Sequence, residues 1–229
     1  MSKIKSIAII IDGNRRWAVK NGLKKTEGHE YGLKKINKTI SWIKEEGVEN
    51  MTFYVFSTEN WNRSKNEVNI LMILFEKVFT EKIEEFMDME VSIKFVGSID
   101  KFSKKLQKII KDTEEKTKHF KTKVFFAASY GGRAEIVDAV KNAGKDLTKK
   151  ELEKMTEKKF ESFLWTADIP DPEIIIRTGG NRRLSNFLLW KGAYSEIYFL
   201  NTLWPDFSKK LLGKILEHYY KKVKINKGK

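Results

Sequence analysis

Six short apolar runs alternate with longer amphipathic stretches, and this alternation leaves few architectures open to the chain. The runs are Ile7–Ile11, Met51–Phe56, Val91–Val96, Val124–Ala128, Glu173–Ile176 and Ser195–Leu200. Between them, apolar residues return every three or four positions. Tyr31–Glu46 places Leu33, Ile36, Ile40 and Ile43 on one helical face. Val68–Met87 does the same with Leu71, Leu74, Phe75, Val78, Phe79, Ile83 and Phe86. Phe102–Lys118 and Ala134–Ala143 read as shorter helices, and Leu147–Leu164 as a charged one. Phe207–Lys224 reads as an amphipathic helix packed on the body through Leu211, Leu212, Ile215, Leu216, Tyr219, Tyr220 and Val223. Strands joined by helices imply parallel crossovers. The pattern therefore predicts one α/β domain over residues 1–229, with a central, mainly parallel six-stranded sheet flanked by helices. No repeat or Pro/Gly-rich linker divides it, and Pro170, Pro172 and Pro205 lie outside helix interiors.

Composition removes several function classes. The chain has no cysteine, so neither a disulfide framework nor a thiolate metal site is available. His29, His119 and His218 are too far apart to form a metal-ligand motif. The apolar runs are far shorter than a membrane span, and no signal peptide opens the chain. These features predict a soluble, cytoplasmic protein. A net charge of +14 favours polyanionic partners: nucleic acid, an anionic membrane surface or diphosphates. The lysines are scattered rather than striped, and no nucleic-acid-binding motif occurs, so nucleic acid is not expected as a partner. The basic end of the last stretch leaves peripheral membrane contact open.

Four runs lead into polar loops. Asp12-Gly13-Asn14-Arg15-Arg16-Trp17 follows the first, and Ser57-Thr58-Glu59-Asn60-Trp61-Asn62-Arg63 the second. Ser129-Tyr130-Gly131-Gly132-Arg133 follows the fourth, and Arg177-Thr178-Gly179-Gly180-Asn181-Arg182-Arg183-Leu184-Ser185-Asn186 the fifth. Ligands of open parallel sheets bind at such strand ends. Asp12 can hold a divalent cation, and the Gly13-Asn14 backbone can face an anion. Every arginine of the chain lies in these loops: Arg15, Arg16, Arg63, Arg133, Arg177, Arg182 and Arg183. The guanidinium fork grips phosphate oxygens bidentately, which an ammonium cannot do. Taken singly, Asp12 could be a cap, Gly-Gly a turn, Trp17 and Trp61 core, and His29 a structural histidine. Ordinary turns would not collect all the arginines.

The chain resembles the cis-prenyltransferase family, of the undecaprenyl diphosphate synthase type. The matching stretches are Asp12–Trp17, Gly28-His29, Phe56–Trp61, Tyr130–Arg133, Arg177–Gly180, Arg183–Trp190, Ala193–Glu196 and Trp204–Phe207, in family order. The resemblance implies a homodimer that elongates an allylic diphosphate with isopentenyl diphosphate, forming cis double bonds. It implies Mg2+ as cofactor, Asp12 as the acid that binds it and assists the leaving diphosphate, and Glu196 as a second Mg2+ ligand. Gly13, Asn14, Arg15, Arg16, Lys25 and His29 match the first diphosphate pocket, with Trp17 as its wall. Asn60 matches a proposed proton acceptor, flanked by Ser57, Thr58 and Glu59. Trp61 and Arg63 match substrate-positioning residues. Arg177, Arg183, Leu184 and Ser185 match the isopentenyl diphosphate grip. An apolar tunnel is implied for the product, and Leu71, Leu74, Phe75, Val78, Phe79, Val55, Phe125 and Phe126 are candidates to line it.

The chain departs from the family pattern at several positions. Lys25 stands for a frequent arginine, Arg15 for a frequent glycine, Asn181 for a glutamate and Ser129 for an asparagine. The Lys221–Lys229 tail lacks an Arg-x-Gly ending. These departures suggest an archaeal-type member that starts from geranylgeranyl rather than farnesyl diphosphate. The expected product is a polycis-polyprenyl diphosphate, precursor of a glycosyl carrier lipid. The rival readings are a non-catalytic partner subunit of a heteromeric enzyme, which the missing ending favours, and a short-chain member.

Overall fold

The structure, a computed structural model, describes residues 3–81 and 83–227, with side chains up to residue 222. It contains β1 (Ser6–Ile10), α1 (Asn14–Lys20), α2 (Glu27–Glu45), β2 (Asn50–Ser57), α3 (Lys65–Glu81), α4 (Ile83–Asp88) and β3 (Val91–Val96). There follow α5 (Lys104–Thr117), β4 (Thr122–Tyr130), α6 (Gly132–Asp146), α7 (Lys149–Glu153), α8 (Glu157–Glu161), β5 (Ile174–Arg177), β6 (Glu196–Phe199) and α9 (Lys209–Lys227). The six strands form one sheet in the order β3-β4-β2-β1-β5-β6, and every pairing is parallel. All six expected runs are strands of it. They read as continuous apolar segments because helices or loops cover both faces.

The pleat divides the core in two. Ile7, Ile9, Phe53, Phe126, Ile174 and Ile176 face α2, α3, α5 and α9. Their neighbours Ala8, Ile10, Tyr54, Phe125 and Ile175 face the opposite side, with Phe187 and Leu188. The register skips Val55 between Tyr54↔Ala127 and Phe56↔Ala128. This bulge lets Phe56 join the first core while Tyr54 stays in the second. In α2, Ile36, Ile40 and Ile43 are buried on one face, as their spacing predicts. In α9, Leu212, Ile215 and Leu216 pack on the body.

Three expectations are corrected. The segment after the first strand is not a loop throughout: α1 starts at Asn14, directly after Gly13. Leu147–Leu164 is not one helix, because Thr148 and Thr156 each cap a separate short one. Phe125 cannot line an apolar passage beside Phe126, since adjacent strand residues point to opposite faces. Of the residues expected to line the tunnel, Val55 and Leu71 line the larger of two cavities at the sheet edge, and Leu74 and Val78 line another of about 200 Å3 with Leu33. Phe53, Phe79, Phe86, Phe95 and Phe126 stack on one another, leaving about 10 Å3 between Val55, Phe75, Phe79, Phe102 and Leu106, room for roughly one water. Lys82, within the expected Val68–Met87 helix, lies outside the described residues, as do the last two residues of the Lys221–Lys229 tail and the side chains from Val223 onward.

Candidate active site

Strand β1 lies between β2 and β5, so the chain winds away from it in both directions. Open parallel sheets bind ligands at the carboxyl ends of strands flanking such a reversal. Asp12 follows β1 there, and Arg177 ends β5 beside it. The buried Thr178 hydroxyl fixes the Asp12 backbone, accepting from its N–H at 3.0 Å and donating to its carbonyl at 2.7 Å. Gly13 has φ 114°, and a Cβ there would lie 2.9 Å from the Leu203 side chain, so only glycine makes the turn. The Asp12 carboxylate accepts from Arg16 at 3.2 Å, from Arg177 at 3.1 Å and from the Asn181 amide at 2.8 Å. Burial pushes this carboxyl up, but the hydrogen bonds from Asn181 and Arg177 and the nearby guanidinium charges outweigh it. Asp12 stays below the usual carboxylate value and is ionised at neutral pH.

Two adjoining cavities open at this edge. One, about 510 Å3, is lined by Asp12, Gly13, Arg15, Arg16, Lys25 and His29, among others. Glu67, at the start of α3, bridges Arg15 at 3.2 Å and Arg63 at 2.9 Å. The His29 ring is nearly enclosed, and its Nε2 has no hydrogen-bond partner. Burial, then the Arg63 charge, pull its pKa down to about 4, against the opposing pull of Glu67, so it is neutral at pH 7.

The other cavity, about 630 Å3, shares Asp12, Asn14, His29 and Arg63 with the first and adds its own residues, among them Ser57, Glu59, Asn60, Arg177, Arg183 and Ser185. Arg177 is almost fully buried. It donates to the Ser185 hydroxyl at 2.6 Å and to the Arg183 carbonyl, while its Nε has no partner. The Asn60 side-chain oxygen accepts from the Ser57 N–H at 3.0 Å, closing the turn Thr58–Asn62. Among the described residues, the buried side-chain atoms left without a partner are Asn14 Oδ1, His29 Nε2, Arg177 Nε and Thr52 Oγ1. All but the last belong to residues that line these cavities. Native interiors satisfy buried polar atoms, so such a concentration marks a place prepared for a ligand.

Several expected residues lie elsewhere. Trp17 does not wall the first cavity: it packs on Tyr31 and donates to Asp206 at 2.7 Å, on the side of α1 away from Arg15, Arg16 and Val19. Trp61 packs against Phe56 and Phe102 and donates to Ser129 at 2.9 Å. Leu184 packs on the second core, and the Thr58 hydroxyl donates to Glu59 at 3.1 Å. Glu196 begins β6 opposite Ile174, whereas Arg177 pairs with Phe199 and Ile10. It therefore sits at the other end of the sheet from Asp12, paired with Lys222 at 2.6 Å, and the two carboxylates do not meet in this chain. Thr178, Glu67, Asn181 and Asn186 were not among the expected site residues. Thr178, Asn181 and Asn186 lay in the polar loop after the fifth run, Asn181 also as a departure from the family pattern, while Glu67 lies four residues after Arg63.

The donor set bears on Mg2+. No three His, Asp or Glu residues cluster as a metal site among the described residues. Asp12 is a single hard carboxylate already held by cations. Its hard oxygen donors fit Mg2+, an ion commonly held by one or two carboxylates together with substrate phosphates.

An ionised carboxylate and two arginine sets at the switch point of a parallel sheet define an enzyme that handles diphosphates. Residues 10–226 match the family described as "Putative undecaprenyl diphosphate synthase". An isoprenyl transferase of Thermotoga maritima is 43% identical over 94% of this chain and 93% of its own. A farnesyl-diphosphate-specific undecaprenyl diphosphate synthase of Micrococcus luteus is 39% identical over 94% and 88%. A geranylgeranyl-diphosphate-specific one of Thermoplasma volcanium is 41% identical over 89% and 81%. The crystal structure of lavandulyl diphosphate synthase from Lavandula x intermedia with dimethylallyl diphosphate superposes with a TM-score of 0.88, at 31% identity and 95% coverage of both chains. The chain belongs to the undecaprenyl diphosphate synthase family and is a cis-prenyltransferase.

Proposed function

We propose that the protein condenses isopentenyl diphosphate onto an allylic prenyl diphosphate, in the presence of Mg2+, to make a polycis-polyprenyl diphosphate. The observation that carries this is the pair of adjoining cavities, each with its own cationic set, meeting at Asp12. Two diphosphates side by side need this arrangement, and a single phosphate ligand does not. Arg15, Arg16, Lys25, His29 and Arg63 take the allylic diphosphate. Arg177, Arg183 and Ser185 take isopentenyl diphosphate, and the unpartnered Nε of Arg177 offers it a further donor.

The allylic C–O bond breaks with its electron pair going to the diphosphate, and fixed guanidinium groups stabilise that charge as it forms. Asp12 would hold Mg2+, which when bound would supply Lewis-acid stabilisation to the same leaving group. The isopentenyl double bond supplies the electrons of the new C–C bond, after which a proton leaves. Asn60 lines the same cavity as Arg177 and Ser185, but its carbonyl oxygen already closes the Ser57 turn. We therefore assign the proton to a diphosphate oxygen, with Asn60 orienting the acceptor.

We further propose a homodimer. Strand β6 is a sheet edge whose Ile197 and Phe199 are exposed on one face, beside a fully exposed Tyr194. Glu196 would serve Mg2+ only across such an interface. Among the described residues no helix is long and apolar enough to cross a membrane, so contact with a bilayer would be peripheral, during product release. The relatives of both starter specificities are about equally similar, so geranylgeranyl diphosphate as starter rests on the departures in the sequence. A short product is the second reading, favoured by the phenylalanines that pack on one another around Phe79, one of the expected lining residues.

The test is incubation with Mg2+, radiolabelled isopentenyl diphosphate and either farnesyl or geranylgeranyl diphosphate, with the dephosphorylated products sized by chromatography. A ladder of prenols is expected with wild type and none with Asp12→Ala. A folded wild type inert with both starters would point instead to a non-catalytic partner subunit.

A further inference from the structure

The loop that carries Arg183 and Ser185 has no regular secondary structure, yet Arg177 needs the Ser185 hydroxyl at 2.6 Å. Something outside the loop must fix it. Its backbone turns sharply, with φ 51° at Ser185 and 67° at Asn186. Asparagine is among the few side chains that tolerate this left-handed region.

From that position Asn186 reaches two other strand-end segments. Its carbonyl accepts from the Gly132 N–H at 2.7 Å, and its side-chain oxygen accepts from the Arg133 N–H at 2.9 Å. These are the first two amides of α6, whose own N-cap, Gly131, has no side chain to satisfy them. The amide nitrogen of Asn186 donates to Glu59 at 2.9 Å, in the turn after β2. The segments meet so closely that a Cβ on Gly131 would lie 2.5 Å from Thr58 Oγ1 and 2.8 Å from Asn186 Nδ2. Beneath them, Tyr54 stacks on Phe187 with ring centroids 4.6 Å apart and donates to the Tyr130 carbonyl at 3.1 Å.

We infer that Asn186 is a positioning residue for the isopentenyl diphosphate site, tying the loops after β2, β4 and β5 into one rigid wall. This rests on the assignment of that substrate to Arg177, Arg183 and Ser185. An amide suits the junction because it accepts from a helix N–H and donates to a carboxylate at once. A carboxylate could not donate, and a hydroxyl is too short to span both. The cavity of Arg15, Arg16 and Lys25 receives nothing from Asn186.

The prediction is therefore asymmetric between the two substrates. Asn186→Gly keeps the backbone conformation and removes the side-chain ties. It should raise the KM for isopentenyl diphosphate roughly tenfold, the loss of one hydrogen bond to a charged group. The KM for the allylic diphosphate should stay within about twofold, with kcat lowered less than the first KM is raised. Glu59→Ala cuts the same tie without touching the α6 cap, and should raise the same KM at an unchanged melting temperature. An equal loss for both substrates would mean that Asn186 only caps α6, and would overturn the inference. So would an unchanged KM for isopentenyl diphosphate in both variants. An inert wild type would instead sink the reading of the site itself.

Discussion

The arginine-bearing rim of the sheet and the lysine-bearing remainder of the surface use positive charge in opposite ways. At the rim, Arg177 is 6% exposed and touches Asp12, Ser185 and the Arg183 carbonyl together. Elsewhere, Lys118, Lys121 and Lys221 are 62–83% exposed, each paired with one surface glutamate. Arg177 is held in place before any ligand arrives, whereas these lysines, and at the rim itself Arg15 and Arg16 with side chains 45% and 53% exposed, stand open to solvent and are screened. The net charge of +14 is thus a poor guide to function, whereas the placing of arginines is a good one. Lys191 marks the boundary: it is 5% exposed and pairs with Glu161 and Asp171, a buried point charge behind the loop rather than a fork within the site.

The comparison breaks most sharply at Arg177. Arg177→Lys keeps the charge but loses the planar fork that reaches Asp12 and Ser185 together. We expect kcat/KM to fall roughly a hundredfold, mostly through the KM for isopentenyl diphosphate. A loss below about threefold would show that charge alone suffices at the rim, as it does on the surface.

Much of this contrast was legible before the structure. The strands announced themselves because both their faces are buried. Asp12 and the arginines announced themselves because apolar runs ended in them. What was not legible depends on direction rather than on presence. Trp17 follows Arg16 by one residue, yet points to Asp206, because α1 is helical where a loop was expected. Phe125 and Phe126 are neighbours on opposite faces, and the bulge at Val55 shifts the face of Phe56. How much open space an apolar lining leaves depends on how rings from β2, β3, β4, α3 and α4 interlock. Asn186 meets Glu59 across 127 positions, a pairing no local pattern encodes.

A second effect separates the two regions by pH. His29 is neutral in the fold with a pKa of about 4, against an ordinary value of 6.5. The unfolded chain therefore binds an extra proton between these values. The stabilisation is fully present above pH 6.5 and is lost as pH falls towards 4. By the size of the shift it is about 3 kcal/mol at most, and allowing for partial solvent access about 2 kcal/mol. Urea unfolding of wild type and His29→Gln at pH 7 and pH 4.5 checks this. The gap in stability between the two proteins should move towards the variant at the lower pH. A constant gap would mean that the His29 ring is as accessible to protons as a surface side chain.

The smallest effect expected is the most demanding of the comparison. Replacing Lys118, Lys121 and Lys221 with glutamine together removes three of the exposed cations, each bound only to a surface glutamate. At physiological salt the screening length is about 8 Å, so charges scattered over the surface add little at the sheet edge. The KM for either diphosphate should change by less than about twofold, and the melting temperature by no more than roughly 2 °C. The same variant at about 0.01 M salt, where the screening length reaches about 30 Å, is the stricter trial. A loss of kcat/KM confined to low salt would show the lysines steering diphosphates towards the rim from a distance. A loss at physiological salt as well would mean that the surface and the rim act as one electrostatic unit, and the division drawn between braced arginine and solvated lysine would fail.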